Sequence, residues 1–143
     1  MGSRLALGLL LAVLAAGCGG DPPSPESVVR AWSTAINTGD NEGAAALFAE
    51  GAEVIQLGRS ITLDSEAEAL SFNASLPCSG LILAITERGD TVTTVFRLED
   101  RETQPCDGPG VEVRARFRVR DGKIVQWRQL PGSVTRPPAG EEA

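Results

Sequence analysis

Apolar residues Val28, Val29, Trp32, Ala35 and Ile36 fall three and four apart, the spacing of one helix face. The pattern predicts a helix over residues 25–39, with Ser24 as its cap, Pro25 at the first helical position and Glu26 in the first turn. Trp32 on the apolar stripe is then a core residue. Asp40 can cap a second helix whose apolar residues Ala44, Leu47 and Phe48 run to Gly51. Residues 53–57 predict a short strand, interrupted by Gly58-Arg59-Ser60 before Ile61. Asp64 can cap a third helix through Glu66, Ala67, Leu70 and Ala74, stopped by Leu76-Pro77.

Beyond Pro77 the pattern changes from helical spacing to β-branched and alternating runs. Residues 81–86 and 91–98, joined by Arg88-Gly89-Asp90, predict a hairpin. In residues 111–119, Val111, Val113, Ala115, Phe117 and Val119 share one face, while Glu112, Arg114, Arg116 and Arg118 share the other. Asp121-Gly122 is a turn dipeptide, and residues 124–130 return as the last strand. A two-residue turn there pairs Val119 with Ile124, Phe117 with Gln126, Ala115 with Arg128 and Val113 with Leu130. That register turns Gln126 and Arg128 toward the apolar side; a bulged hairpin would exchange the two faces. Residues 132–143, rich in proline and polar groups, are expected to form a disordered tail.

The N-terminal pattern is of another kind. Arg4 precedes an unbroken apolar run, followed by Ala15, Ala16, Gly17 and then Cys18. This resembles a bacterial lipoprotein signal peptide, being short for a permanent span and ending in the small residues a signal peptidase needs. The resemblance implies removal of residues 1–17 and lipid (palmitate among its chains) on Cys18. Residues 18–24 would then be a lipidated cysteine and spacer, and the protein would be extracytoplasmic and anchored to the cell membrane. Residues 25–131 are long enough for one domain.

Net charge is -6 over the whole chain, and losing Arg4 with the signal makes it -7, so no field attracts nucleic acid. Lys123 is the only lysine among the 13 basic residues, a usage that suggests a high-GC bacterium and not a function. With Cys18 lipidated, Cys78 and Cys106 remain as the pair an extracytoplasmic disulfide requires. The hairpin prediction independently brings Cys78 toward the loop that holds Cys106. In a chain with no histidine, two cysteines are too few soft ligands for zinc, so no metal and no cofactor are expected.

Helix, helix, short strand, helix and four antiparallel strands is an α+β order. With it go Asn37-Thr38-Gly39-Asp40, Ala46-Leu47-Phe48-Ala49 followed by Ala52, and residues 118–127 (RVRDGKIVQW). Across residues 25–131 the sequence resembles nuclear transport factor 2-like, or SnoaL-like, domains. The resemblance implies a cone-shaped fold, a curved antiparallel β-sheet wrapped around three N-terminal helices, with a cavity between sheet and helices. Its members include isomerases, dehydratases, epoxide hydrolases, cyclases and non-catalytic binding modules, so it implies a place to look and no particular reaction. This chain has neither histidine nor tyrosine, which many catalytic members use for proton transfer or oxyanion support.

Candidate pocket-lining residues are Trp32, Phe48, Phe117, Gln126 and Arg128. An inward arginine needs a carboxylate or an anionic ligand, unless it sits in water at the cone's mouth. Asp40, Asp64 and Glu66 are assigned to helix starts, and without histidine a Ser-His-Asp triad is excluded. Arg116, Arg118 and Trp127 are the candidate outer-sheet interface, with Arg116 placed over the Trp127 ring. The expected function is non-catalytic binding of a small molecule or partner. The alternatives are an enzyme working through a cavity carboxylate and an interaction module, including a homodimer.

Overall fold

The computed structural model describes residues 19–135. The expected signal peptide, Cys18 and residues 136–143 of the expected tail lie outside the described residues.

Helix α1 spans Pro25–Asn37, and Ser24 Oγ accepts the Ser27 N–H at 3.2 Å as its cap. Its buried face carries Val28, Val29, Trp32, Ala35 and Ile36, the predicted stripe. Asp40 caps α2, its Oδ1 accepting the Gly43 N–H at 2.8 Å, but α2 is only Asn41–Ala45. The expected continuation to Gly51 is instead strand β1, Phe48–Gln56. Long-range pairing wins here over the local helical preference of the alanines: the Ile124 N–H donates to Leu47 O at 2.8 Å, and Phe48 pairs with Ile124 of the last strand.

Leu57 and Gly58, at φ 51° and 75°, make a two-residue turn, so the expected interruption is the start of β2, Arg59–Leu63. Helix α3 is Glu66–Ser75, capped by Ser65 where Asp64 was expected. Ser65 Oγ accepts the Glu68 N–H at 3.1 Å, and Glu68 Oε2 reaches back to the Asp64 N–H at 2.6 Å.

Strands β3 (Ser79–Arg88), β4 (Thr91–Glu99), β5 (Glu112–Arg120) and β6 (Lys123–Thr135) follow. The described strands form one sheet in the order β2-β1-β6-β5-β4-β3, antiparallel except where β1 runs parallel to β6. β6 continues to Thr135, which pairs with Glu112, so the first residues of the expected tail belong to the sheet.

The turn at Asp121-Gly122 is the predicted two-residue one, with φ 51° and 75°, and Val119 pairs with Ile124. One residue later the ladder slips: Arg118 pairs with Gln126, leaving Val125 as an extra residue in β6. From Gln126 to Leu130 each β6 side chain therefore sits on the face opposite to that of an unbulged hairpin.

All the chain's aromatic residues, four phenylalanines and two tryptophans, join one network inside the cone. Trp32 lies 5.2 Å from Phe117, 6.2 Å from Phe96 and 6.5 Å from Trp127. Phe72 bridges Trp127 at 5.6 Å to Phe48 at 5.9 Å. The Trp32 indole N–H donates to buried Asn73 Oδ1 at 2.8 Å, and Asn73 Nδ2 donates to Ala69 O, which locks α1 to α3 without an orphaned polar group.

Candidate functional site

Between the inner sheet face and α1 lies a cavity of about 300 Å³. Buried Trp32, Ile36, Leu76, Phe96, Ala115 and Trp127 form its walls. Its rim carries exposed residues, among them Leu57 (85% exposed), Pro77, Asp107 and Arg114. Size, apolar walls and few polar groups are the features of a small-molecule site.

Gly80 lies where α1 meets the sheet. Asn37 grips its backbone in both directions, Nδ2 donating to Gly80 O at 3.0 Å and Oδ1 accepting the Gly80 N–H at 3.1 Å. A Cβ at Gly80 would meet the Phe96 ring at 3.2 Å, so glycine is what lets β3 approach this wall.

Among the described residues, two buried side-chain polar atoms lack any hydrogen-bond partner, Trp127 Nε1 and Gln129 Oε1. Both residues line the cavity, two apart on one face of β6. One is a donor and the other an acceptor. Each such group costs about 1–3 kcal/mol when left unmade.

Asp107 and Arg114 are the titratable side chains on the cavity among the described residues, and both are exposed at its rim. Cys78 and Cys106 form the expected disulfide, with Cα atoms 4.6 Å apart. Asp107 Oδ1 lies 3.2 Å from Cys78 Sγ, and these three residues bring their ligand atoms within 4.8 Å of one another. Both sulfurs are spent in the disulfide, so the cluster offers no thiolate to a metal.

The buried cation of the domain is Arg101, 6% exposed, which sequence reasoning passed over. Its guanidinium donates to Asn73 O at 2.7 Å and Leu76 O at 2.9 Å, at the C-terminal end of α3, and to Asn41 Oδ1. The helix end presents unpaired carbonyls and partial negative charge, so carbonyls replace a carboxylate partner. Burial holds this guanidinium below the ordinary arginine value. Arg101 fastens the loop between β4 and β5, which also carries Asp107, to the helical layer.

The bulge corrects several site assignments. Gln126 and Arg128 point to the outer face and do not line the cavity; Trp127 and Gln129 take the inward positions. Trp127, expected outside over Arg116, is 6% exposed in the core, and Arg116 pairs with Arg128 instead. Arg118 is held by Asp90 at 3.3 Å. The Asp90 carboxyl lies below its usual value through the Thr91 hydroxyl bond and the neighbouring Arg118 and Arg120, against a smaller opposing effect of desolvation. Trp32 lines the cavity, whereas Phe117 is fully buried behind it and Phe48 borders a separate hollow beside Lys123. The signal that could have located Gln129 is the apolar Trp127 two residues before it, which belongs inside unless something holds it out.

The fold and cavity define a class: α+β domains whose curved sheet closes over helices to leave an interior pocket. Residues 29–127 match the SnoaL-like domain model, and the chain belongs to that family. No curated protein sequence matches the chain.

Solved structures share the fold at low identity. An NTF2-like protein of unknown function from Cytophaga hutchinsonii superposes with TM-score 0.63 at 11% identity, covering 75% of this chain and 88% of that one. A provisionally named ketosteroid isomerase from Kribbella flavida gives 0.61 at 20%, covering 82% and 84%. A provisionally named polyketide cyclase from Sinorhizobium meliloti gives 0.61 at 18%, covering 73% and 94%.

Proposed function

We propose that this SnoaL-like domain is a membrane-anchored binding module that holds a small, largely apolar molecule in its cavity without transforming it. The observation that carries the reading is the unpartnered Trp127 Nε1 and Gln129 Oε1 in an apolar pocket whose acid, Asp107, stands outside at the rim. A general base must come within hydrogen-bond reach of the proton it removes, and the buried walls supply none. Turned into the cavity by a small side-chain shift, the two polar atoms suit a neutral ligand with one acceptor and one donor, such as a lactam or a hydroxy-ketone.

Both tryptophans border the cavity, so their fluorescence reports occupancy. A panel of small cyclic ketones and lactams is expected to include saturable binders. Trp127→Phe keeps an aromatic ring and removes the donor, and should weaken the best binder about fivefold, the worth of one net hydrogen bond, with some loss of stability from the space it opens. Unchanged affinity would remove Trp127 from the site. Turnover of any panel member that disappears in Asp107→Asn would replace the binding reading by an enzymatic one.

The anchorage rests on the run before Cys18 and on the disulfide, which suits an oxidising compartment. Cys18→Ser is expected to abolish lipid labelling and to release the protein from membranes or stop its maturation. A Cys18→Ser protein that is processed and still partitions into detergent like the parent would exclude lipidation at this residue.

A further inference from the structure

The domain has two ends, and the tether and the cavity mouth are at opposite ones. Pro22 and Pro23 of the spacer pack on the β5–β6 turn, where a Cβ on Gly122 would meet Pro23 Cδ at 3.1 Å. The start of α1 is tied to the same end, because the Glu26 N–H donates to Glu87 Oε2 at 2.7 Å, next to the β3–β4 turn.

The far ends of the same elements carry the cavity: Ile36 and Asn37 close α1, Ser79 and Gly80 open β3, and Gln129 lies well along β6. No residue of the segments 19–24 and 118–124 lines it. α1 has 13 residues, about 20 Å at 1.5 Å each. Gln129 lies six positions beyond Lys123 along β6, again about 20 Å.

The spacer is too short to undo this separation. With Pro22 and Pro23 on the domain, residues 18–21 are the free tether, about 14 Å at full extension. That is less than the 20 Å or so between the turn at Gly122 and the mouth.

Resting on the anchorage and cavity reading above, we infer that the mouth faces away from the membrane and is loaded from the aqueous side. The ligand is therefore a water-borne small molecule with an apolar body, and not a lipid drawn from the bilayer beneath. A lipid carrier on so short a leash would need its opening at the tethered end.

Energy transfer on the full-length lipidated protein tests this. In the anchored protein Cys18 is acylated and Cys78 is bonded to Cys106, so an introduced cysteine takes a thiol-reactive fluorescein alone. Arg120→Cys marks the tethered end and Leu57→Cys the mouth; both positions are exposed. In phosphatidylcholine–phosphatidylglycerol vesicles carrying a trace of rhodamine-headgroup lipid, transfer should be several-fold greater from Arg120→Cys than from Leu57→Cys. Equal transfer, or more from Leu57→Cys, in protein that floats with the vesicles overturns the orientation and leaves the anchorage standing. Protein that carries no lipid and does not float overturns the anchorage, and this inference with it.

Discussion

Phe117→Ala is expected to cost about 3–5 kcal/mol of unfolding free energy, the range for emptying a buried aromatic site. Phe117 is 0% exposed, at the centre of β5, and its ring touches Trp32 at 5.2 Å and Trp127 at 6.4 Å. Neighbours on a sheet and a capped helix cannot close the space without moving the backbone, so most of the cavity cost remains. A domain of this size has about 5–15 kcal/mol to lose, so the variant should sit near the edge of folding. The second effect concerns function. Trp32 and Trp127 are cavity walls that lean on Phe117, and losing it should loosen both, with a red-shifted tryptophan emission before global unfolding. Urea denaturation giving a change below about 1 kcal/mol would show that the aromatic network is not the rigid back of the pocket.

The helix starts and the two C-terminal hairpins are legible because their signals are local. Ser24-Pro25-Glu26, the α1 stripe and Asp121-Gly122 each act through a few neighbouring residues. The second helix was overextended because the pairing that claims Phe48 comes from Ile124, far along the chain, which no local pattern announces. The cap of α3 was misplaced by one residue, where Asp64 and Ser65 are both good caps and the reach of Glu68 decides.

The candidate site was read in part. Its place between sheet and α1, and Trp32 within it, follow from the apolar patterns. Its polar lining does not, because the single extra residue Val125 exchanges the faces of β6. Burying Trp127 in the aromatic network outweighs keeping a regular ladder: an exposed indole forfeits about 1.5–3 kcal/mol or more of transfer free energy, against one disrupted strand pair. Weighing that trade would have favoured the bulged register, and with it Gln129 over Arg128.

Removing the disulfide with Cys78→Ser and Cys106→Ser is expected to lower stability by about 3–4 kcal/mol, the chain-entropy value for a closed loop of this length. The crosslink joins positions 28 apart, the start of β3 and the loop between β4 and β5. The native loop should nonetheless keep its base. Arg101 still holds Asn73 O and Leu76 O, and the Cys106 N–H donates to Asp100 Oδ1 at 2.8 Å. Faster amide exchange should therefore be confined to the loop tip, Asp107 at the cavity rim and Gly108, while the Cys106 N–H and the carbonyls at the end of α3 stay bonded. Arg101→Met, which strips the other fastening, should couple with the loss of the disulfide, since both act on one loop and such effects are not additive. Urea midpoints of the parent, measured with and without reductant, give the first quantity. A drop smaller than about 1 kcal/mol would mean that Arg101 alone fixes the loop and that the crosslink adds little to the folded domain.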